Sequence, residues 1–444
     1  MQSLGIYNMY DFFLVPLYLS IIFFVLYLIK RNNSSIIDYN YFLKGMMIKL
    51  IGLTMFLSIY IYYYEGGDTI AYFHGAKAIS KLLVNDFDKG LSILLNLDDS
   101  NNHISSFNAF SGWPPKYMWK DPYTFSICRF SSLFSLISFN SFFITSIFVC
   151  CFSYVGVWNL YRLLNILYPK NQKFFAYFVL YLPSLIFWGS GIMKDSFVLG
   201  STCWITYSFF KVFIERKNIL INTFFIILNG YIILNSKSYI LISLFPGILL
   251  WLNSAYLNKI TNKVFKIILF PIILSSIIIA GFYIYSNISS SMGVYGNMNS
   301  AIQQAQIIQG DLLREEQYGK NNYNIGSFDG SLRSLIGVAP IAIFTAIFRP
   351  LLWEVGSPTM LFSAIENTIL IIFTISVIGR VRPIKLFKIL LKEPYLTYCL
   401  VFSLLLAFGV GIAGTNFGAL VRYKIPFMPF LFSMLFILKK KISN

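Results

Sequence analysis

Charged residues are scarce in this sequence. Aspartate, glutamate, lysine and arginine together make up 12% of its 444 residues, whereas 57% of the residues are hydrophobic. Soluble domains carry roughly 25% charged residues, so this chain has about half of the charge that a soluble surface uses. The composition argues against an ordinary soluble protein and indicates a chain that lies largely within a membrane.

Histidine and cysteine are also rare. The two histidines, His74 and His103, are well separated, and the five cysteines lie in or beside apolar segments without metal-ligand spacing. This argues against a dedicated zinc or haem site, and we expect neither a metal nor a cofactor. We interpret the cysteines as small buried hydrophobic side chains. They are Cys128, Cys150, Cys151, Cys203 and Cys399.

Acidic residues are about half as numerous as basic ones. The chain has 18 acidic and 35 basic residues, which gives a formal net charge of +17. Such a charge would suit a nucleic-acid-binding protein. However, most of the basic residues lie in short segments between long apolar runs, as in cytoplasmic loops that face anionic lipid. We therefore expect a lipid bilayer as the partner, and no nucleic acid.

Long apolar runs are abundant. We predict an all-α polytopic membrane protein with about eleven transmembrane helices, because each span needs about 18 apolar residues or more. These helices would form a single membrane domain over residues 1–444. The predicted spans are residues 12–29, 47–64, 140–160, 174–192, 196–214, 218–235, 239–257, 267–285, 358–378, 395–414 and 418–437.

Short basic segments separate these spans and set the orientation. The first such segment contains Lys30, Arg31, Lys44 and Lys49. If all the basic segments face the cytoplasm, as the charge rule for membrane proteins requires, the N-terminus lies outside and the C-terminus lies in the cytoplasm.

This orientation decides the place of the apolar stretch 334–354. If it crossed the bilayer, the basic segment 380–392 would lie outside, against the charge rule. We therefore predict that 334–354 is re-entrant or interfacial at the outer face. Pro340 and Pro350 suit a broken helix, which is tolerated at membrane depth where protein or a wet cavity covers it.

Two long outer loops follow from this topology, at about 65–139 and 286–357. Within them we predict an interfacial helix over 129–139 and a short helix around 300–317. Loops of this length in a compact protein are usually functional or disordered, so the polar residues in and beside them are the first candidates for a functional site.

The stretch "YYYEGGDTIAYF" (62–73) begins the first outer loop. Gly66 and Gly67 permit backbone geometry that other residues would strain, and Asp68 follows them where the second span ends. If a helix starts there, Asp68 is a natural N-cap and Tyr72 lies one turn further on. Asp68 is therefore either a helix cap at the interface or a catalytic or substrate-binding carboxylate.

Charged residues also interrupt "LPSLIFWGSGIMKDSFVLGS" (182–201). Charges at the ends of spans tend to face a cavity or one another. Lys194 and Asp195 therefore either neutralise each other in a short turn or hold a phosphate at the membrane surface, with Asp195 tuning the cation. Lys237, in "NSKSYILISLFPG" (235–247), is either a lysine that snorkels to the interface or a further cation of the same site.

The stretch "IFRPLLWEVGSPTMLFSAIEN" (347–367) sets Arg349, Glu354 and Glu366 in apolar surroundings. An unpaired glutamate there would bind a proton or find a partner. One interpretation is a structural pair such as Arg349 with Glu366. Glu354 is the more interesting carboxylate for function, because re-entrant segments line cavities.

The last predicted span carries two cations at its outer end, in "GTNFGALVRYKIPFMPF" (414–430). Arg422 and Lys424 either anchor this helix or bind a diphosphate, with the arginine forking across phosphate oxygens. The predicted outer face thus holds an excess of cations, which implies an anionic ligand. At membrane depth that ligand is a lipid-linked phosphate. The charged set consists of Lys194, Lys237, Arg349, Arg422 and Lys424, beside Asp68, Asp195 and Glu354.

The order of these motifs resembles the membrane polymerases of bacterial surface polysaccharides. "GGDTIAYF" follows the second span, "PSLIFWGSGIMKD" ends a mid-chain span, and "RYKIPFMPF" lies in the last one. The nearest resemblance is to EpsG-type exopolysaccharide polymerases and Wzy-type O-antigen polymerases, with the GT-C membrane glycosyltransferases as more distant relatives. The order of spans and loops resembles that of these families over most of the chain. The resemblance in sequence motifs is limited to the three short stretches quoted above.

The resemblance suggests roles for individual residues. In EpsG-like proteins a Gly-Asp followed one turn later by a Tyr opens the first outer loop, which here corresponds to Gly67, Asp68 and Tyr72. Their mid-chain motif usually has an arginine where this sequence has Lys194, so the positive charge is kept. The arginines in the outer loops of Wzy-type polymerases have candidate counterparts in Arg314 and Arg333, without a clear duplicated motif.

The activity implied by the resemblance is glycosyl transfer from a polyprenyl-diphosphate-linked sugar or oligosaccharide at the outer face of the bacterial inner membrane. The product would be polymerised O-antigen, capsule or exopolysaccharide. Asp68 is the first candidate for the catalytic base and Glu354 the second. The remaining candidates would bind substrate, and the cations among them would stabilise the leaving diphosphate without a metal. They are Tyr72, Lys194, Asp195, Lys237, Arg333, Arg349, Arg422 and Lys424.

Two other classes of protein stay open. A transporter or flippase for lipid-linked oligosaccharide also needs cations for phosphate, but it needs no base and it needs access from both faces. Such proteins often have two related halves, which we do not find in this sequence. A non-catalytic scaffold would not explain Lys194, Asp195 or Glu366. A polymerase would have the lipid-linked glycan as its partner, together with flippase and chain-length proteins.

Overall fold

A computed structural model describes residues 5–97, 103–257, 275, 289–312, 322–323, 325–326 and 331–443 of the chain. Every regular element within these ranges is helical, and the β-structure described there is limited to one isolated bridge between Asn322 and Asn416. The prediction of an all-α protein is therefore confirmed.

We number the α-helices of the described residues in chain order. They are α1 (Asp11–Asn32), α2 (Phe42–Ser58), α3 (Asp68–Asn85), α4 (Phe87–Leu95), α5 (His103–Ser106), α6 (Lys116–Trp119), α7 (Pro122–Ile137), α8 (Phe142–Leu167), α9 (Gln172–Phe175), α10 (Pro183–Trp188), α11 (Lys194–Phe209), α12 (Ile219–Lys237), α13 (Tyr239–Leu257), α14 (Met298–Leu312), α15 (Leu332–Phe348), α16 (Pro358–Ile378), α17 (Pro383–Lys392), α18 (Pro394–Ala413), α19 (Phe417–Tyr423) and α20 (Met428–Ser443).

Eight helical segments of the described chain are long and apolar enough to cross a membrane. A ninth arises if α19 and α20, which meet at an angle of 66°, form one bent span. The sequence therefore has the helices of a polytopic membrane protein. The eight segments are Asp11–Asn32, Ile37–Tyr63, Phe142–Leu167, Lys194–Glu215, Ile219–Lys237, Tyr239–Tyr256, Met360–Ile378 and Pro394–Ala413.

Three of the eleven predicted spans have no counterpart among these eight. The span 418–437 falls on the bent pair of α19 and α20. The span 267–285 falls almost entirely outside the described residues. The span 174–192 is not one continuous helix. Helix α9 continues as a π-helix to Leu180, the helical hydrogen bonding then ends, and a new helix, α10, begins at Pro183. Pro183 is the first residue of α10, and a proline disfavours helical geometry in the residue before it. Leu182 is accordingly extended, with φ −65° and ψ 122°.

The chain divides into two compact units by its internal contacts. The first unit comprises Met1–Tyr207 and Phe225–Lys237, and the second comprises Ser208–Phe224 and Ser238–Asn444. A single membrane domain over the whole chain stays a prediction.

In the first unit, helices approach one another closely where glycines face each other. Gly156 of α8 lies against Gly200 of α11, so that a Cβ on Gly156 would fall 2.0 Å from the Gly200 carbonyl oxygen. Small residues that let backbones approach closely are a common means of packing helices in membranes. This contact fixes α11, which begins with Lys194, against the long helix α8.

We predict that Gly156→Ala destabilises the protein by about 1–3 kcal/mol, because the added methyl group overpacks the contact with α11. The thermal unfolding midpoint of the purified protein in detergent should fall. Gly230→Ala in α12 is the matched control, since a Cβ there meets nothing within 4 Å. An equal midpoint for the two variants would contradict the close contact.

Lys49 is a buried lysine of the first unit. It lies inside α2 with 3% of its surface exposed, and its Nζ donates a hydrogen bond of 2.8 Å to the Leu185 carbonyl of α10. Lys49 thus lies inside a helical segment that is long and apolar enough to cross a membrane, whereas the prediction counted it with a basic loop. Gly52, one turn further along α2, touches the Ile186 backbone, where a Cβ would lie 2.4 Å from the carbonyl oxygen. Together these contacts hold α10 against α2.

The second unit is packed around α18. Gly411 of α18 lies against α15, where a Cβ would fall 2.1 Å from the Ala342 carbonyl oxygen. On another side of α18, Tyr398 stacks on Phe402 and on Trp251 of α13, and both Tyr398 and Phe402 contact Phe430 of α20 edge-on. Such offset and edge-on ring pairs add to the energy of burial.

Both predicted loops contain substantial helix. The segment 65–139 holds α3 to α7, and α7 begins seven residues before the predicted interfacial helix 129–139. In the second loop, α14 confirms the short helix expected around 300–317. The stretch 334–354 forms α15, which contains Pro340, followed by a 3₁₀ turn over Leu352–Glu354.

Candidate functional site

Helices α3 and α7 of the first unit pack closely beside each other. Gly75 of α3 lies against Cys128 of α7, where a Cβ would fall 2.4 Å from the Cys128 sulfur. Asp68 stands seven residues before Gly75, and Asp121 stands seven residues before Cys128. Asp68 and Asp121 both act on the ammonium group of Lys194, so the starts of α3 and α7 lie near each other, with a carboxylate at each start.

Asp68 is the first residue of α3 and is partly exposed. It is not the N-cap, since Gly67 takes that position with a φ of +100°, a conformation open mainly to glycine. Gly66 also has a positive φ, of +154°. The two glycines thus end α2 with its π-helical extension and start α3 at Asp68. Tyr72, one turn further on, is buried with 4% of its surface exposed.

Lys194 lies at the start of α11 and reaches the start of α7. Its Nζ donates a hydrogen bond of 2.8 Å to Thr124 Oγ1 and is 3.5 Å from Asp121 Oδ2. Thr124 in turn donates to the Asp121 carboxylate. The negative charges of Asp121, Asp68 and Asp195 all act on the Lys194 ammonium, so the structure brings Asp68, Lys194 and Asp195 into one electrostatic cluster. The Lys194 side chain is 20% exposed.

Asp195, the neighbour of Lys194, forms a buried ion pair with Lys237. The Lys237 Nζ lies 2.5 Å from Asp195 Oδ1, and the two side chains are 8% and 1% exposed. Of the two interpretations of Lys194 and Asp195, mutual neutralisation in a short turn is thus not what the structure shows. Asp195 pairs with the end of α12, and Lys194 faces Asp121 and Thr124.

We predict that Lys237→Met destabilises the protein by about 3–5 kcal/mol, because it removes the ion-pair partner of the buried Asp195 carboxylate. Adding Asp195→Leu should restore most of this loss, since an apolar pair of similar volume needs no desolvation of charges. The measurement is reversible unfolding in detergent. Lys89→Met breaks an exposed pair with Asp86 and should destabilise the protein far less, because water screens such a pair. Similar losses for Lys237→Met and Lys89→Met would contradict the prediction.

The starts of three helices meet at Lys194. The electrostatic contacts of Lys194 place the first turns of α3, α7 and α11 around its ammonium group. A helix N-terminus carries about half a positive charge, so a cation beside such ends favours anionic groups. The carboxylates of Asp121 and Asp68 already lie in this positive field, and Asp121 accepts the Tyr123 N–H of α7. The carboxylates of Asp68 and Asp121 are proton acceptors at the same place. This cluster can therefore bind an anionic group and accept a proton next to it.

An open apolar groove of about 480 Å³ lies between α1, α2 and α8 of the first unit. Along α2 it extends as far as Ser58 and Tyr62, a few residues before Asp68. Tyr62 is thus the groove residue that lies nearest to Asp68 along the chain. Its walls include Leu19, Leu50, Thr54, Ser58, Tyr62 and Phe143.

A second group of charges lies in the second unit, around Arg349 and Glu354. The Arg349 Nε donates to the two Glu354 carboxylate oxygens at 2.9 and 3.2 Å, and the Leu351 N–H donates to the same carboxylate at 2.8 Å. The Arg349 guanidinium lies 5.1 Å from the Tyr323 ring centre and 4.9 Å from that of Phe417. The observed ion pair of Arg349 is thus with Glu354, where a pair such as Arg349 with Glu366 was one interpretation.

Lys424 extends this second group. It has no exposed surface, and its Nζ donates to the Arg349 carbonyl at 3.1 Å and to the Asn367 side-chain oxygen. Asn367 donates to the Pro350 carbonyl at 2.8 Å, and the charge of Glu366 also acts on Lys424. Phosphate binding by Lys424 would therefore require the exchange of these internal contacts.

The Glu354 carboxyl has a lowered pKa. Burial raises it, but the hydrogen bonds from Arg349 and the Leu351 N–H, with the charge of Arg349, outweigh burial and hold the pKa below its ordinary value. A depressed pKa means that the stability from this carboxylate is complete above the unfolded-state pKa and is lost as the pH falls through the folded-state pKa. Glu354 is thus a weaker base, paired as here, than an ordinary glutamate.

We predict an acid-specific effect of Glu354→Gln. Below about pH 4.3, the usual glutamate pKa, the unfolding midpoint of the native protein should fall more steeply than that of the variant, which has no proton to gain at this position. The measurement is thermal unfolding in detergent between neutral and acid pH. Parallel curves for the two proteins would show that the ion pair with Arg349 adds no pH-dependent stability.

The other predicted residues are placed as follows. Arg333 is exposed in the first turn of α15, and Arg422 is half-buried in the last turn of α19. Arg314 lies outside the described residues. Asp68, Tyr72, Lys194, Asp195 and Lys237 belong to the first unit, and Arg333, Arg349, Glu354, Arg422 and Lys424 belong to the second. The convergence of both sets on one pocket stays a prediction.

Sequence reasoning missed Asp121 and Thr124. A recognisable pattern was present, because "DPYT" has an aspartate followed by a proline, which is typical of a helix start. Asp121 caps α7 by accepting the Tyr123 N–H, and Pro122 is the first residue of the helix. Among the described residues, no group of three His, Cys, Asp or Glu side chains is placed to hold a metal ion.

Comparison with known proteins gives no match. Neither the protein-family models, nor the curated proteins, nor the solved structures contain one that is significantly similar to this chain.

Proposed function

We propose that this protein is a membrane glycosyltransferase that acts on polyprenyl-diphosphate-linked sugars and polymerises a bacterial surface polysaccharide. The observation that carries the proposal is the Lys194 cluster. One partly exposed cation lies among three helix starts, with the carboxylates of Asp68 and Asp121 acting on it. The resemblance of "GGDTIAYF" and "GSGIMKD" to polysaccharide polymerases supports the same assignment.

The proposed reaction uses these groups in one step. An acceptor sugar hydroxyl attacks the anomeric carbon of the donor, and the bond between that carbon and the diphosphate oxygen breaks. The hydroxyl proton passes to Asp68 as the general base. The diphosphate leaves with the bonding electrons, and the charge that develops on it is stabilised by Lys194 and the helix starts. No metal is needed for this charge balance.

The lipid part of such a donor needs an apolar site. The groove between α1, α2 and α8 is open to the side and leads towards the chain segment that precedes Asp68. An isoprenoid chain in this groove would bring its diphosphate to the membrane surface near the cluster. The apolar walls of the groove therefore support a lipid-linked substrate over a soluble nucleotide sugar.

In the proposed topology the chain crosses the bacterial inner membrane about eleven times, and the N-terminus lies outside, following the distribution of basic segments. The stretch 334–354 is re-entrant at the outer face, where its turn would present Arg349 and Glu354. Arg333, Arg422 and Lys424 would add cations for the substrate. Flippase and chain-length proteins would be the partners of such a polymerase.

The decisive experiment is incubation of the purified protein with a lipid-diphosphate oligosaccharide, followed by size analysis of the glycan. A ladder of products supports a polymerase. One added unit would indicate a transferase of single sugars and correct the polymerase assignment. No change in glycan size, together with movement of the lipid-linked oligosaccharide across liposomes, would replace the proposal with a transporter or flippase.

A further inference from the structure

Helix α17 (Pro383–Lys392) is the most basic short element of the second unit. The chain contains no acidic residue between Glu366 and Glu393, whereas five cations lie within 380–392. The helix connects two apolar helices that are long enough to cross a membrane, α16 and α18. The five cations are Arg380, Arg382, Lys385, Lys388 and Lys392.

One face of α17 is apolar and exposed. Ile384, Phe387 and Leu391 have 72%, 63% and 56% of their surfaces exposed. Their spacing of three and four residues places them along one side of the helix. In contrast, Leu390 is buried, so α17 has one apolar side against the protein and a second apolar side facing away from it.

The lysines form a stripe next to the exposed apolar face. Lys385, Lys388 and Lys392 have the same spacing as the apolar residues, shifted by one position, which is about 100° around a helix. All three are exposed. Within the described part of the chain, no carboxylate forms an ion pair with them, although the described chain has several ion pairs elsewhere.

Helix α17 is also held in place at its C-terminal end. The Thr397 hydroxyl of α18 donates a hydrogen bond of 2.7 Å to the Leu390 carbonyl. Lys441 of α20 forms an ion pair with Glu393, the residue that follows α17. The exposed stripe therefore belongs to a fixed helix, and only four residues separate it from α16 and one from α18. Linkers this short keep α17 at the level where the two long helices end.

We propose that α17 lies in the plane of the membrane and binds anionic phospholipid. Ile384, Phe387 and Leu391 would enter the acyl region, and the adjacent lysines would contact phosphate groups. This is the arrangement of an interfacial helix with basic residues beside an apolar face, and clustered lysines favour anionic headgroups. The apolar stripe and the short linkers favour a lipid surface over an acidic protein partner. This inference does not depend on the proposed glycosyl transfer.

The first test counts the lipids that the full chain retains. The purified protein is mixed with equal amounts of phosphatidylglycerol and phosphatidylcholine in detergent and analysed by native mass spectrometry. We expect the native protein to retain more phosphatidylglycerol than phosphatidylcholine. The triple variant Lys385→Gln, Lys388→Gln, Lys392→Gln should lose this excess, and the corresponding triple arginine variant should keep it.

A control variant that loses the same number of positive charges elsewhere shows whether phosphatidylglycerol binds to α17 or responds only to the net charge of the protein. The triple variant Lys30→Gln, Arg31→Gln, Lys44→Gln removes three cations from another basic segment and should keep most of the phosphatidylglycerol excess. The proposal is overturned if this control loses as much of the phosphatidylglycerol excess as the α17 variant does. It is also overturned if the native protein shows no preference for phosphatidylglycerol over phosphatidylcholine.

A second test measures the depth of α17 in phosphatidylglycerol nanodiscs. A spin label on Phe387→Cys should be accessible to oxygen and shielded from a water-soluble nickel reagent, whereas a label on Lys385→Cys should be closer to water. A label at position 387 that is as accessible to nickel as the one at 385 would place the apolar face in water. That result would overturn the proposal and point to a soluble partner.

Discussion

Replacing Asp68 by asparagine is expected to reduce chain extension by at least about a hundredfold, because a positioned general base contributes about 10²–10⁴ in rate. The asparagine has nearly the same shape and keeps the start of α3, but it cannot accept the hydroxyl proton. Asp68 is suited to this role because it is partly exposed and its charge reaches both Lys194 and Tyr117.

The measurement is the rate of elongation of a lipid-diphosphate oligosaccharide by the purified variant. Asp88→Asn makes the same chemical change at an exposed position of α4 and should leave elongation unchanged. Normal elongation by Asp68→Asn would remove Asp68 as the base. If Asp121→Asn then showed the large loss, the base would be the carboxylate at the start of α7.

Removing the Lys194 charge is expected to have an effect of similar size. Lys194→Met should lower the rate of the chemical step by about 10²–10³, as found when one preorganised group that stabilises developing charge is removed. Lys194→Arg keeps the charge, so it should retain a substantial part of the activity.

Separate measurements of the rate at saturating substrate and of the substrate affinity of Lys194→Met identify the role of Lys194. A fall in the rate at saturating substrate shows that the cation acts on the leaving diphosphate in the transition state, whereas a change confined to substrate affinity shows uniform binding. Lys173→Met, on an exposed residue of α9, controls for loss of one positive charge. Full activity of Lys194→Met in this assay would exclude the cluster as the diphosphate site.

The sequence was sufficient to predict the long apolar helices, because the hydropathy of a segment depends only on its own residues. The predicted spans 12–29 and 140–160 overlap with α1 and α8, although α8 extends seven residues beyond the predicted end. The prediction of α1 did not require any knowledge of its neighbours. Helix continuity is a different property. The run 174–192 is apolar throughout, yet Pro183 and the residues before it break the helix.

The partners of the charged residues were harder to predict, since they depend on contacts between distant parts of the chain. Lys194 could be singled out as a cation at the end of an apolar run, but Thr124 is 70 residues away and Asp121 is 73 residues away. Lys237 and Asp195 were both named as candidates. Their ion pair follows from the packing of α12 against α11, through contacts such as that of Phe225 with Trp204, and no local pattern encodes it.

The buried lysine of α2 has a consequence for how the chain enters the membrane. Lys49 lies near the middle of the segment Ile37–Tyr63, where a lysine opposes insertion by about 2.5–3.5 kcal/mol. Its hydrogen-bond acceptor, Leu185, is synthesised 136 residues later. The hydrogen bond of the buried Lys49 can therefore form only after α10 has been synthesised, so the final packing of α2 depends on a segment made much later in translation.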